Sequence, residues 1–475
     1  MSDTVGAMLD EVFGPGDGAS PEERALHSNR LFVRGLDLLT FDSPKARGRR
    51  LSAQEALDAY GFDKLCEIVQ DGSAIITSDP AAVGRTLRER RGRLGIEIRT
   101  VASLSNLATE VVEALESSKR RPVREYERVA RILGLDERLI SFNPDPQDNE
   151  RVAVRLRRLS EERPALSSSI VATLAEASWV AMTQIRLEKS LGLDRPKHDF
   201  HESKDYGAHY GRPAYRVGYD LADMFRKKLG LSTNPIMSMR ELVERQLAVP
   251  VIQAPLGERI AGATVQFVNN RRAIVLNIHG KNADACVRRS TMAHELCHLL
   301  FDPSSQLQDL RVDEYAELDE RDDTRVDQVE QRANAFAVQL LAPQSEAVSR
   351  YRASGRDDLR AVLDYFGISF TAGRYQIWNA MKRSVDLESI FAPNQAPAAD
   401  WDARETYTLA YHPIRSLTEN PSRAGRFSAI VIRAASVGII SWDTAAEWLF
   451  CSEDDAKRAE DGLRDFYADV FAARL

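Results

Sequence analysis

The segment TMAHELCHLLF, residues 291–301, sets two of the chain's eight histidines four positions apart around a glutamate. Residues four apart stack on one face of an α-helix, so a helix here points the imidazoles of His294 and His298 at a common spot. Glu295 then lies about 100° round the axis, beside them. Zn²⁺ takes neutral histidine nitrogens, and a catalytic zinc site needs three protein ligands with one position left for water. Glu295 is placed to take a proton from such a water as it attacks a carbonyl and to pass it to the leaving amine. Met292, Leu296, Leu299 and Leu300 are expected to pack this helix on a neighbouring sheet.

A third ligand has to come from elsewhere. The chain offers Asp309, Asp313, Glu314, Glu317, Asp319, Glu320, Asp322, Asp323 and Asp327, and then VEQRANAFAVQLLAP at 329–343 with Glu330 near its start. The latter reads as an amphipathic helix whose Ala333, Ala335 and Ala337 permit close approach to the first. Position along the chain does not choose among these carboxylates. The acidic stretch 309–327 itself reads as a solvated excursion, with gating of a cleft as the alternative.

Upstream, GYDLADMFRKKLG and SMRELVERQLA read as helices, and VPVIQA, GATVQFV and AIVLNI as strands. Turn signals at Pro255-Leu256-Gly257 and Asn269-Asn270 separate the strands, predicting a small antiparallel or mixed sheet. With this order, and with AHELCHLL followed by EQRANAFAVQLLAP, residues 216–345 resemble the ImmA/IrrE metallopeptidase domain. The resemblance implies His294 and His298 as zinc ligands, Glu295 as general acid/base and Glu330 as third ligand. Cys297 stands where that family commonly has glycine. It reads as a small buried thiol against the sheet, with redox sensing at the metal as the alternative.

A second pattern lies nearer the N-terminus. Residues 79–142 read as four or five short helices, with Asp79 capping the first and Val83, Leu87, Val101, Leu104, Val112, Leu115, Tyr126, Val129 and Ile132 supplying a shared core. The run LRERR, VASLSNL, VVEALESSKRRP, YERVARILGLD resembles the helix-turn-helix domain of the XRE regulators along nearly its whole length. That resemblance sends residues 108–116 into the major groove, with Thr109 among the reading residues. Lys119, Arg120, Arg121 and Arg124 would meet phosphates just beyond. Glu110 and Glu113 depart from the usual base-reading residue types and repel phosphate.

The formal net charge of −7 excludes a chain that coats nucleic acid along its length, so DNA contact must come from a local basic patch. No apolar run approaches the ~20 residues that span a bilayer, and the start MSDTVGAMLDEVFGPGDG lacks the layout of a signal peptide. A cytoplasmic protein without membrane contact is expected. Cys66, Cys286, Cys297 and Cys451 show no CxxC spacing, which fits reduced thiols. His198, His201 and His209 fall in a polar loop and read as solvated.

The expected fold is α+β and mainly helical. It comprises an N-terminal helical region (1–78), the helix-turn-helix bundle (79–142) and a helical connector and loop (143–215). A zincin-like domain with a small sheet and the HELCH helix follows (216–345), and then a helical C-terminal region (346–475). Taken with the two resemblances, this implies a DNA-binding regulator, working as a homodimer on double-stranded DNA. Its Zn²⁺ peptidase domain would cleave a partner protein, a repressor, in a stress or mobile-element response. The alternative is a transcription factor whose peptidase-like domain senses a ligand or metal without cutting.

Overall fold

The computed structural model describes residues 2–79, 81–140, 150–163, 165–193, 212–267, 271–303, 307, 310–315, 328–353, 359–381, 387, 390, 401–405 and 413–472. The histidines at 198, 201 and 209 lie outside them. The chain forms two compact units, one of residues 1–194 and 412–475 and the other of residues 195–411.

The first unit opens with α1 (Ser2–Phe13) and α2 (Pro21–His27), the latter begun by a reciprocal cap between Ser20 and Glu23. Four short strands follow, β1 (Leu31–Arg34), β2 (Leu38–Phe41), β3 (Arg49–Ser52) and β4 (Ala74–Ile75), in the antiparallel order β3-β1-β2-β4. The N-terminal region is therefore a sheet backed by helices, not a helical region. Strands of two to four residues are too short for alternation to stand out, and their identity rests on pairing. Between β3 and β4 runs α3 (Ala53–Asp71), started by the Ser52–Glu55 capping box. Phe32, Leu39, Leu51, Leu65 and Ile68 share a core with Leu9 and Val12 of α1.

Next come α4 (Ala81–Leu94), α5 (Ile98–Ser105), α6 (Thr109–Glu116) and α7 (Val123–Ile132). Asn106 closes α5 in the left-handed region at φ 52°, turning the chain sharply into α6. Eight of the nine expected core residues are buried, but Leu104 is 41% exposed and lines a cavity with Arg128 and Phe450. Two further helices, α8 (Glu150–Glu162) and α9 (Ser168–Ser190), complete the first pass.

Helices Arg426–Ser436, Trp442–Trp448 and Glu453–Phe466, far along the chain, belong to this same unit. Glu137 accepts hydrogen bonds from Trp179 at 2.9 Å and Trp448 at 2.6 Å, tying early and late segments together. Ser441 N–H donates to Glu55 at 2.8 Å, and Ser52 donates its hydroxyl to the Ile439 carbonyl at 2.9 Å.

The second unit contains α10 (Ala214–Lys228) and α11 (Met239–Glu241), which runs on as one π-helical stretch to Gln246. Its sheet comprises β5 (Val251–Ala254), β6 (Ile260–Gln266), β7 (Arg272–Asn277) and β8 (Leu310–Glu314) in the order β5-β7-β6-β8. The β5–β7 pair is parallel and the others antiparallel, so the sheet is mixed. Against it lies α12 (Ala285–Phe301), capped by Asp284 through the N–H groups of Cys286 and Val287, and then α13 (Gln328–Leu341). Met292, Leu296 and Leu300 share a core with Val251, Ile274 and Leu276 of the sheet and with Phe336 and Leu340 of α13. Helices Gln344–Ala353, Arg360–Phe366 and Phe370–Ala380 extend that core through Tyr351, Phe366 and Ile377.

β8 corrects the reading of the acidic stretch as solvated: Leu310, Val312 and Asp313 are buried. Residues 316–327 of that stretch lie outside the described residues. No described helix is long and apolar enough to cross a membrane.

Candidate metal centre

On α12 the four-residue spacing brings the Nε2 atoms of His294 and His298 to 2.9 Å, with the rings inclined at 70°. Each ring is oriented from its other nitrogen. His294 Nδ1 bonds Asn334 Oδ1 on α13 at 2.9 Å, and His298 Nδ1 bonds Asp302 Oδ2 at 2.8 Å. An Nδ1–H donor leaves Nε2 as the coordinating atom, and such outer partners fix tautomer and ring direction at metal sites. Asp302 is in turn held by the Arg332 guanidinium.

Glu330, in the first turn of α13, reaches both rings, with its carboxylate oxygens 3.1 Å from His294 Nε2 and 3.6 Å from His298 Nε2. A second carboxylate arrives from β8. Asp313 Oδ2 lies 3.9 Å from His294 Nε2 and 3.8 Å from His298 Nε2. All four residues are buried, with one ligand atom of each within 4.8 Å of the others. Arg311 bonds Asp313 Oδ1 at 3.1 Å and pairs with Glu330.

Glu295 points from α12 toward β6. Thr264 donates its hydroxyl to Glu295 Oε2 at 2.8 Å. Beside it, a Cβ on Gly262 would stand 2.7 Å from Glu295 Oε1, so glycine makes the room that this carboxyl uses.

Burial dominates the electrostatics. It drives the His294 pKa down to about 3, with His298 adding repulsion. Burial opposes charge on His298 too, but the Asp302 carboxylate outweighs it and holds this ring above its ordinary value. A cation held by the two Nε2 atoms would have to displace any proton they carry. Glu295 is held well above the ordinary carboxyl range by burial and by Asp313. Asp313 is held low: burial is outweighed by His298, Arg311 and His294.

The donor set fits a divalent cation on an observation independent of spacing. Glu330 Oε2 is a buried acceptor with no hydrogen-bond partner among the described residues. Left bare, such a group costs ~1–3 kcal/mol. Two imidazole nitrogens and carboxylate oxygens are the ligand types zinc accepts.

Of the residues singled out in the sequence, His294, Glu295, His298 and Glu330 come together, and of the other acidic candidates for third ligand Asp313 joins them. Arg311, Thr264, Asp302 and Asn334 complete the surroundings. Asp302 and Asn334 each lie four residues beyond a site residue on one helix face, a signal that helical spacing already contains. Asp313 carried no such signal, because its strand was not recognised. Cys297 is fully buried in the core beneath the histidines, and burial pushes its thiol up to about 11. That fits a packed thiol rather than a reactive one.

The residues expected to meet DNA divide. Thr109 opens α6, Lys119 and Arg120 are exposed beyond its end, and Glu110 and Glu113 are exposed along it. Arg121 is engaged by Glu125 through two 2.8 Å bonds. Arg124 turns inward to Asp443, at 2.6 and 2.8 Å, and to Glu447 at 3.3 Å. Its guanidinium is spent on the returning C-terminal segment, a partner that local sequence could not reveal.

With this geometry in hand, the second unit has the make-up of a metallopeptidase-type domain: an HExxH helix on a small sheet, faced by a carboxylate from a following helix. A family model described as the IrrE N-terminal-like domain, Peptidase_M78, matches residues 245–377, a stretch that holds every residue of the cluster. No curated protein and no solved structure matches the chain.

Proposed function

We propose that the chain is a zinc-dependent endopeptidase that makes limited cuts in a partner protein. His294, His298 and Glu330 hold the metal and Glu295 acts as general acid/base. The observation that carries this reading is the convergence of two oriented imidazoles on a buried Glu330 oxygen that has no hydrogen-bond partner among the described residues. Bound zinc would supply Lewis acidity for attack on a peptide carbonyl. Glu295, held toward its protonated form by burial while no cation is bound, would be ionised beside the cation and so able to take up a proton from the attacking water and deliver it to the departing amine. Thr264 fixes one oxygen of that carboxyl and leaves Oε1 for the transfer. Asn334 and Asp302 keep the imidazoles aimed throughout. An extended substrate can pair along the outer edge of β8.

In this reading residues 79–142 supply a DNA-binding module, working as a homodimer in the cytoplasm, and the protein cut is a repressor in a stress or mobile-element response. The sharp Asn106 turn between α5 and α6 and the exposed Lys119 and Arg120 support that module. Arg124 is no part of its contact surface.

The test compares cells carrying the wild-type chain with cells carrying Glu295→Gln. New protein N-termini that depend on Glu295, together with equal zinc content in the two purified proteins, are expected. Identical sets of N-termini would remove the enzyme.

A further inference from the structure

The cluster holds one carboxylate more than an open catalytic site needs. Asp313 is delivered by the edge strand β8, where pairing with β6 is irregular: Ile260 faces Glu314 while Gly262 faces Asp313. The extra residue there is Ala261, so the strand bent beside Asp313 is β6. Arg311, two residues earlier and so on the same face, anchors Asp313 Oδ1. Oδ2 is buried and turned to both histidine nitrogens, with the Glu295 carboxyl as its neighbour.

We propose that Asp313 is a fourth protein ligand, so that the resting metal centre is closed and the peptidase is latent until β8 carries this carboxylate away. The inference rests on His294, His298 and Glu330 holding the metal. His294 Nε2, His298 Nε2 and Asp313 Oδ2 stand 2.9, 3.8 and 3.9 Å from one another, and Glu330 brings Oε2 to 3.1 Å from one ring and Oε1 to 3.6 Å from the other, near the ~3.3 Å edge of a tetrahedron built on ~2.0 Å bonds. Four protein ligands make a closed site, whereas catalytic zinc keeps three and a vacancy. Charge agrees. A dication with Arg311 outweighs Asp313 and Glu330 by one positive charge, which Glu295 cancels when it ionises. Withdrawing Asp313 leaves a positive site, suited to an anionic species. Among the described strands β8 is paired to β6 alone, so withdrawing it breaks that ladder and the bonds that Tyr315 makes with His279 and Asn282.

The test loads the full chain with Co²⁺ and adds acetohydroxamate, a bidentate ligand that needs an open position. Wild type is expected to take up one Co²⁺ with the intense visible bands of a four-coordinate site and to ignore acetohydroxamate. Asp313→Ala and Asp313→Asn, checked as folded by circular dichroism, are expected to bind Co²⁺ at least tenfold more weakly and to change spectrum saturably with the probe. A wild-type spectrum that responds as the variants do, or folded variants that match wild type in affinity and silence, overturns the fourth ligand while the metal centre stands. No uptake by wild type, or equal uptake by His294→Ala, overturns both.

Discussion

Asp302 stands one helical turn beyond His298 and accepts its Nδ1 proton at 2.8 Å, while Arg332 holds the carboxylate from the other side. Outer partners of this kind are worth about 10–100-fold in metal affinity. Asp302→Asn and Asn334→Ala are each expected to weaken zinc binding by that factor, measured by competition against a chromophoric chelator. Unchanged affinity in both would mean that the rings are held by packing alone.

Zinc binding and folding should be linked. At free zinc about a thousandfold above the dissociation constant, the gain is about 4 kcal/mol, visible as a raised Tm that His294→Ala and Glu330→Gln abolish. The pH dependence has a definite sign. His298 is raised above its ordinary value, so its contribution to apo stability is full below the unfolded pKa and is lost as pH rises through the folded one. Metal must displace that proton, so apparent zinc affinity should fall by about tenfold per pH unit below the raised value. Titration calorimetry in buffers of differing ionisation heat reads the released proton.

Gly262→Ala places a methyl against Glu295 Oε1, at 2.7 Å before any relaxation. Overpacking of a dense interior costs about 1–3 kcal/mol. Thermal unfolding should show this loss, and any Glu295-dependent cleavage should fall with zinc content unchanged. Wild-type stability would mean that β6 yields at its bulge.

In the first unit, burial raises the Glu447 carboxyl but Arg131, with Arg49 and Arg128, outweighs it and brings the pKa to about 2. A depressed carboxyl stabilises above its unfolded value and loses that contribution as pH falls through the folded one. Glu447→Gln, which leaves Arg131 short of its 2.7 Å partner, should cost roughly 3 kcal/mol near neutrality. The gap from wild type should narrow as pH falls from about 4.5 toward 2. Chemical denaturation across that range measures it.

Cys297 should be slow toward alkylating reagents at neutral pH, since burial pushes its thiol up to about 11. Zinc retention under peroxide should be the same in wild type and Cys297→Ala. Protection in the variant would restore a redox role for this thiol.

What the amino-acid sequence determined by itself is helical and local. His294, Glu295 and His298 are positioned by one turn of α12, and the Ser20 and Ser52 caps and the α4–α7 core follow from spacing that neighbouring residues set through backbone geometry. Tertiary structure decided the rest. Asp313 enters the cluster through strand pairing and a bulge. Arg124 is claimed by Asp443 and Glu447, more than three hundred residues away. Strands β1–β4 exist as a sheet because their short edges pair and their inner faces bury Phe32, Leu39 and Leu51. The physical reason is common to all three: a helix satisfies its backbone within a few residues, whereas a strand, a buried ion pair or a ligand shell is stable only when distant segments meet.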